Sequence, residues 1–266
     1  MFVEEVAAAI RQVGNAEVVP RFRSLAAGDI KEKGPGDLVT IADQECERVL
    51  AERLREIRDL PVVGEEATAA DPSLLDLVAT APAAWVIDPI DGTANFVAGN
   101  PNFVVMVALV EAGETVAAWV WHPEHDEMLT AQRGHGAQCN GVDVAPAGRS
   151  GPAAGILKRK YMNEPARSIL RALPAHVGEL VPALKSAGIE YGALIDGRID
   201  FLFYWRTLPW DHAPGGLLAT EAGLKVARPD GSTYYPGDHG LGLLAAPVET
   251  WHAVAAEIMA ALSQKL

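Results

Sequence analysis

Cysteine is nearly absent: the 266 residues hold two, Cys46 and Cys139, far apart and in no Cys-x-x-Cys pairing. That excludes a disulfide framework and a thiolate zinc site. No apolar run is long enough to span a bilayer. The opening stretch Met1-Phe2-Val3-Glu4-Glu5-Val6 carries early acids and no basic segment, so it does not read as a secretory leader. Positive charge is scarce too: 22 Lys and Arg against 35 Asp and Glu leave a net charge of −13. Such a balance excludes the basic surface that a nucleic-acid polymer requires. Low-complexity tracts and internal repeats are missing. A cytoplasmic globular protein is expected, with neither a membrane nor a nucleic-acid polymer as partner.

What is present is an ordinary core-forming composition, 49% hydrophobic, enough for one large domain or two closely packed lobes. Phe2 to Ala27 is expected as an amphipathic helix, with Val3, Val6, Ala7 and Ile10 on one face before Pro20. Lys31 to Gly36 reads as a loop, and Thr40 to Ile57 as a second helix. Leu60 to Val63 is a short strand. Phe103 to Val110 and Thr115 to Trp121 form a hairpin turning at Ala112-Gly113, and Met128 to Ala131 and Ala137 to Gly141 continue the sheet. The Gly- and Pro-rich segment Ala145 to Gly155 marks the boundary between a lobe of residues 1–147 and a lobe of residues 148–266, acting as one functional unit. Helices near Glu164 to Ala172, Ser186 to Ile195, Asp211 to Ala222 and from Glu249 alternate with strands near His176 to Leu180 and Ile199 to Tyr204. The interleaving predicts a mixed α/β fold.

The chemistry concentrates in Trp85-Val86-Ile87-Asp88-Pro89-Ile90-Asp91-Gly92-Thr93-Ala94-Asn95-Phe96. An apolar strand runs into two aspartates held apart by a proline turn, with glycine and threonine behind them. Carboxylates at the mouth of a buried strand are costly unless something positive binds them, and a hard divalent cation suits carboxylate oxygens. The competing reading is a strand followed by a solvated Asx-rich turn. Other acids sit where segments change type: Asp37, Asp43, Glu65, Glu66 and Asp211. Singly, each has a structural explanation. Thr40-Ile41-Ala42-Asp43 has the form of a capping box, Asp211 of an N-cap, and Glu65-Glu66 of a solvated turn. Together they could converge on one cleft. His122 and His125 read as a structural turn, Trp205 and Trp251 as packing, and His212 as satisfying a backbone group. The basic run Lys158-Arg159-Lys160 reads as a solvated loop.

Gly64-Glu65-Glu66, Trp85 to Thr93, and Trp210-Asp211-His212-Ala213-Pro214-Gly215 resemble the signature motifs of the inositol monophosphatase family, and Asp37 to Asp43 matches upstream. The resemblance covers essentially the whole chain. It implies the layered αβαβα sandwich of the inositol monophosphatase/fructose-1,6-bisphosphatase type. It also implies a Mg²⁺-dependent, Li⁺-sensitive phosphomonoesterase, commonly a homodimer, with two or three Mg²⁺ ions. On this resemblance Glu65, Asp88 and the Ile90 carbonyl bind a first metal, and Asp88, Asp91 and Asp211 a second. A third ion lies near Glu65. Thr93, oriented by Asp43, positions the attacking water. The Gly92 and Thr93 backbone N–H groups hold the phosphate, and Glu66 and Asp37 stand behind the ligands.

The part that would hold the alcohol departs from the family pattern. Its Gly-Ser-Ala-Ala loop appears as Lys185-Ser186-Ala187-Gly188, and the acid expected four residues beyond Asp200 is Tyr204. Arg206 adds a cation, either for substrate or for a surface ion pair. Ser186, Ala187, Gly188, Tyr204 and Asp91 are therefore the expected substrate contacts. The substrate is a small phosphate monoester: inositol monophosphate first, with histidinol phosphate, a sugar phosphate or a nucleotide bisphosphate as alternatives. A non-catalytic binding protein on the same scaffold is the rival of another class.

Overall fold

A computed structural model describes residues 2–34, 36–149, 151, 153–158, 162, 178–238, 240 and 242–263. The first helix, α1 (Phe2–Glu17), is shorter than its periodicity suggested. A 3₁₀ turn at Val19–Arg21 replaces its last turns. Pro20 lacks an N–H and disfavours helical backbone in the residue before it. The stretch expected as a loop is instead an antiparallel hairpin of β1 (Ile30–Gly34) and β2 (Asp37–Thr40). Helix α2 (Ile41–Ile57) starts as expected. The Thr40 side chain accepts from the Ala42 and Asp43 N–H groups, and Asp43 accepts from the Thr40 N–H in return.

A seven-stranded sheet follows, in the order β3 (Val62–Gly64), β4 (Ala83–Asp91), β5 (Val104–Glu111), β6 (Glu114–His122), β7 (Glu127–Gln132), β8 (Ala137–Cys139) and β9 (Val142–Val144). Only β3 and β4 run parallel. Between them stand α3 (Glu65–Ala70) and α4 (Leu77–Thr80), and α5 (Thr93–Val97) follows β4. Every residue of β4 is buried, because the sheet is covered on both faces, and so its sequence is continuously apolar up to Asp88. The strand does not stop at Asp88. It continues to Asp91 through a bulge over Pro89-Ile90, where proline has no ladder hydrogen to give.

The second sheet has five strands ordered β11-β10-β12-β14-β13, namely β10 (Ala154–Lys158), β11 (Glu179–Leu180), β12 (Phe201–Tyr204), β13 (Lys225–Ala227) and β14 (Leu243–Ala246). Helices α6 (Ala187–Ile195) and α7 (Pro209–Glu221) precede β12 and β13, and α8 (Val248–Ser263) closes the chain described. The Ala145–Gly155 segment joins the last strand of the first sheet to the first of the second. The helix expected at Glu164 to Ala172 lies outside the described residues, as does most of the strand expected at His176 to Leu180.

Four apolar clusters stack these layers among the described residues, one of them seating Trp210 and Ala213 of α7 on Val63 and Val86. Val6, Ile10 and Leu50 of α1 and α2 pack on Trp85 and Trp119. Tyr191, Leu194 and Leu218 of α6 and α7 lie between Val104 and Val120 of one sheet and Leu202 and Ala245 of the other. Trp251, Val254 and Ile258 of α8 cover Phe201, Phe203 and Leu244. The result is the expected αβαβα order. Each such buried side chain contributes about 1.5–3 kcal/mol.

Candidate active site

Parallel pairing of β3 and β4 sets the site. Gly64 lies opposite Ile87, so the next residues, Glu65 and Asp88, emerge side by side at one end of the sheet. The bulge then turns Asp91 to the same end, and the first turn of α7 brings Asp211 across from the second sheet. Asp211 is not the N-cap expected for it. Leu208 caps the helix and Pro209 takes the first position, where proline's missing N–H is harmless, which leaves Asp211 as the third residue.

Carboxylate oxygens of Asp88, Asp91 and Asp211 all lie within 4.8 Å of one another. Asp88 Oδ1 is buried with no hydrogen-bond partner. Burial, then the facing carboxylates of Glu65, Asp91 and Asp211, push the Asp88 carboxyl well above the usual range. Asp211 is raised in the same way, by burial and then by Asp91 and Glu65. Asp91 is raised to about 6 by burial, although its Oδ2 accepts from Ser186 Oγ and the Gly188 N–H, both at 2.7 Å. An all-oxygen donor set with mutual repulsion and an unpartnered buried oxygen fits a hard divalent cation.

Glu65 lines the same cavity as Asp88, Asp91 and Thr93, yet it stands outside the close cluster. Lys33 of the β1–β2 hairpin reaches over it, with Nζ 2.8 Å from both Glu65 Oε1 and Glu66 Oε1. Asp37 and Leu38 of the same hairpin also line this cavity, while the Ile90 carbonyl lies 3.0 Å from Thr93 Oγ1. Thr93 Oγ1 is also 3.1 Å from Asp43 Oδ1. Burial raises Asp43 to about 7, against the Thr40 hydrogen bonds that lower it. Gly92 caps α5 at φ 98°, and a Cβ there would sit 2.9 Å from the Asn102 carbonyl. Only glycine makes this turn, and the leading N–H groups of α5 are left outside the helix ladder.

Several residues of the site were not visible in the sequence. Glu47, only 6% exposed, accepts from the Glu66 N–H at 2.8 Å and the Ala67 N–H at 2.7 Å, and so holds the start of α3. Gly64 leaves room for it, since a Cβ there would meet the Glu47 carboxylate at 2.2 Å. The available signal was helical spacing: Glu47 lies one turn after Asp43 on the buried face of α2. Glu47→Ala is expected to lower stability by about 2 kcal/mol. By loosening Glu65 it should also weaken Mg²⁺ binding roughly 10- to 100-fold. Thermal melts and calorimetric Mg²⁺ titrations check the two effects separately.

The region expected to meet the alcohol differs more. Glu190, a lone acid in apolar α6 and fully buried, accepts from the Leu184 N–H at 2.8 Å and from Tyr204 Oη at 2.6 Å. The Tyr204 hydroxyl is thus committed to Glu190, and its ring lines the cavity beside Ser186 and Ala187. Lys158 is no solvated loop residue: it ends β10 and pairs with Glu190 at 2.9 Å. Arg159 and Lys160 lie outside the described residues. His212 is buried, with Nε2 3.2 Å from the Arg206 carbonyl and Nδ1 3.3 Å from Tyr191 Oη. Burial lowers it to about 3, so it is a neutral structural group. His122 and His125 stack at 4.6 Å beside the Pro123–His125 turn, away from the carboxylates.

The Inositol monophosphatase family profile matches residues 2–265. The chain is 33% identical over 234 residues to Nus factor SuhB of Vibrio cholerae, covering 85% of each. It is 30% identical over 240 residues to inositol monophosphatase 2 of Solanum lycopersicum, covering 87% of this chain and 89% of that one. Among solved structures, an IMPase from Thermotoga maritima superposes with a TM-score of 0.78 at 26% identity, over 97% of this chain and 96% of that one. Sequence, fold and the converging carboxylates agree, and the chain belongs to the inositol monophosphatase family.

Proposed function

We propose that this protein hydrolyses a small phosphate monoester to an alcohol and inorganic phosphate, with Mg²⁺ as cofactor and a reaction like that of the inositol monophosphatases. The observation that carries it is the buried trio Asp88, Asp91 and Asp211, with its unpartnered Asp88 oxygen. Asp88, Asp91, Asp211, Glu65 and the Ile90 carbonyl would hold two Mg²⁺ ions, and Glu65 a third. Divalent cations bound there supply Lewis acidity, which polarises phosphoryl oxygens and acidifies water.

The chain's own groups supply position and proton transfer. Asp43 Oδ1, raised toward neutrality by burial, takes the Thr93 Oγ1 proton, which frees that oxygen to accept a proton from the attacking water. The Gly92 and Thr93 N–H groups orient the phosphate, with Glu66 and Asp37 supporting the hairpin side. Ser186, Ala187 and Tyr204 face the alcohol, whereas Gly188, expected with them, lies against Val104 and Val120 and touches the site only through its N–H to Asp91. We further propose a cytoplasmic homodimer inhibited by Li⁺, built from the segments 1–147 and 148–266 as one functional unit.

Phosphate release across inositol, sugar, histidinol and nucleotide phosphates, with Mg²⁺ and with chelator, tests this reading. Thr93→Ala is expected to lower kcat about 100-fold with KM little changed. A second reading, a non-catalytic regulatory protein, draws on the relative named Nus factor SuhB. Complete failure to release phosphate from any ester would favour that reading and overturn the first.

A further inference from the structure

Glu190 is fully buried on α6, and a buried carboxylate is costly unless it is paired and hydrogen-bonded. Both needs are met here from several sides. Oε1 accepts from the Leu184 N–H at 2.8 Å and the Lys185 N–H at 3.2 Å, and Lys158 Nζ at the end of β10 stands 2.9 Å from it. Oε2 accepts from Tyr204 Oη at the end of β12, at 2.6 Å.

The two N–H groups belong to successive residues, and Lys185 has φ 63°, a left-handed backbone that a residue with a Cβ enters only at a cost. Successive N–H groups around such a residue make a concavity for an anion, and Glu190 fills it from within the chain. From the other side, Asn95 of α5 donates Nδ2 to the Leu184 carbonyl at 2.8 Å. The backbone at Leu184-Lys185 is thereby clamped between α5 and α6.

This segment carries the hold on Asp91. Ser186 Oγ and the Gly188 N–H both donate to Asp91 Oδ2 at 2.7 Å, and Ser186 also caps α6 by accepting from the Ile189 N–H at 3.2 Å. A Cβ at Gly92 would lie 3.1 Å from Ser186 Cβ and 3.4 Å from the Lys185 carbonyl, so the same segment backs the turn behind Asp91. We propose that Glu190 is a positioning residue for the cation site: it fixes the backbone at Leu184-Lys185, and with it the Ser186 hydroxyl and Gly188 N–H that aim Asp91. Lys158 offsets its charge, so what Glu190 contributes to Asp91 is reach rather than charge. This deepens the reading of Asp91 as a cation ligand and rests on it.

Two substitutions separate reach from charge. Glu190→Asp keeps the charge and withdraws the carboxylate by one methylene, whereas Glu190→Gln keeps the reach and an acceptor oxygen. Calorimetric Mg²⁺ titration, which needs no turnover, should show Glu190→Asp binding about tenfold or more weakly and Glu190→Gln within about threefold of the parent. Ile258→Ala, in the α8 layer, should lower the melting temperature and leave Mg²⁺ affinity unchanged, so lost stability alone does not mimic the effect. In a double-mutant cycle Glu190→Asp should add little to Ser186→Ala, because both act on Asp91 through one contact. The parent protein supplies a further check. By reciprocity, a cation held by Asp91 stabilises the segment that aims it, so amide hydrogen exchange at Leu184, Lys185 and Gly188 should be slower in Mg²⁺ than in EDTA. That measurement stands even if Glu190→Asp does not fold. Parent-like Mg²⁺ affinity in Glu190→Asp, equal losses in Asp and Gln variants, full additivity with Ser186→Ala, or exchange indifferent to Mg²⁺ each overturns the proposal. Phosphate release is read separately. Mg²⁺ binding that depends on Glu190 without hydrolysis of any ester would overturn the phosphatase reading alone. Mg²⁺-dependent turnover with a parent-like Glu190→Asp protein would overturn the positioning role alone.

Discussion

Replacing Asp88 by Asn is expected to lower Mg²⁺-dependent phosphate release more than about 1,000-fold, the scale on which loss of a principal electrostatic group is felt in a transition state. Asp88 is the most central of the clustered carboxylates: buried, without a hydrogen-bond partner on Oδ1, and faced by Glu65, Asp91 and Asp211. The amide keeps the shape and removes the charge. In the presence of chelator the variant should be at least as stable as the parent. It loses a repelling charge and gains N–H donors toward neighbouring carboxylates. Phosphate-release assays and thermal melts in EDTA read the two consequences. A fully active Asp88→Asn protein would sink the assignment of Asp88 as a metal ligand.

The second large effect is on stability itself. Saturating Mg²⁺ is expected to raise the melting temperature near neutral pH by roughly 5–10 °C over EDTA, from about 2.7 kcal/mol of linkage at a hundredfold excess over Kd. The pH dependence in EDTA follows from the raised carboxylates. Burial lifts Asp91 to about 6 and Asp43 and Glu47 to about 7, with Asp88 and Asp211 also raised. Unfolded carboxyls titrate near pH 4. Between roughly pH 4 and 7 the folded state therefore holds more of these protons than the unfolded state, and their contribution to stability falls as pH rises. Above about pH 7 the part due to Asp91, Asp43 and Glu47 levels off. His212, lowered to about 3, and His122, also lowered by burial, work in the opposite sense below their ordinary value, but they are two groups against six, since burial raises Glu66 as well. Bound Mg²⁺ competes with those protons, so the gain from Mg²⁺ should grow from pH 5 to pH 7.5, roughly the span of these titrations. Melting curves over that range with EDTA and with Mg²⁺ provide the check. A Mg²⁺ effect that is absent, or that shrinks with rising pH, would contradict the cation assignment.

Local features of the chain were legible because their causes are local. The capping box at Thr40 and Asp43 needs only four residues, and it forms as read. The hairpin at Ala112-Gly113 and the C-terminal limit of α7 before Gly223 likewise follow from turn chemistry. Misread elements had competing local signals. The apolar period of α1 runs past Pro20, the β1–β2 hairpin is built from charged and glycine residues, and Asp-Pro looked like a strand end where the sheet tolerates a bulge.

Sequence alone determined the α/β alternation, the clustering of acids at segment boundaries, and through its motifs the family. Those properties depend on residue type and short spacing, which the chain states directly. Tertiary structure decided which charges meet. Lys33 finds Glu65 and Glu66 across a hairpin, Glu47 finds the start of α3, and Glu190 ties Lys158 to Tyr204. Each of these contacts joins separate elements, and its strength depends on burial and on distances that no linear pattern encodes. The acids at Asp88 and Asp91 are thus read directly from the chain, while their approach to Asp211 within 4.8 Å is decided by the fold.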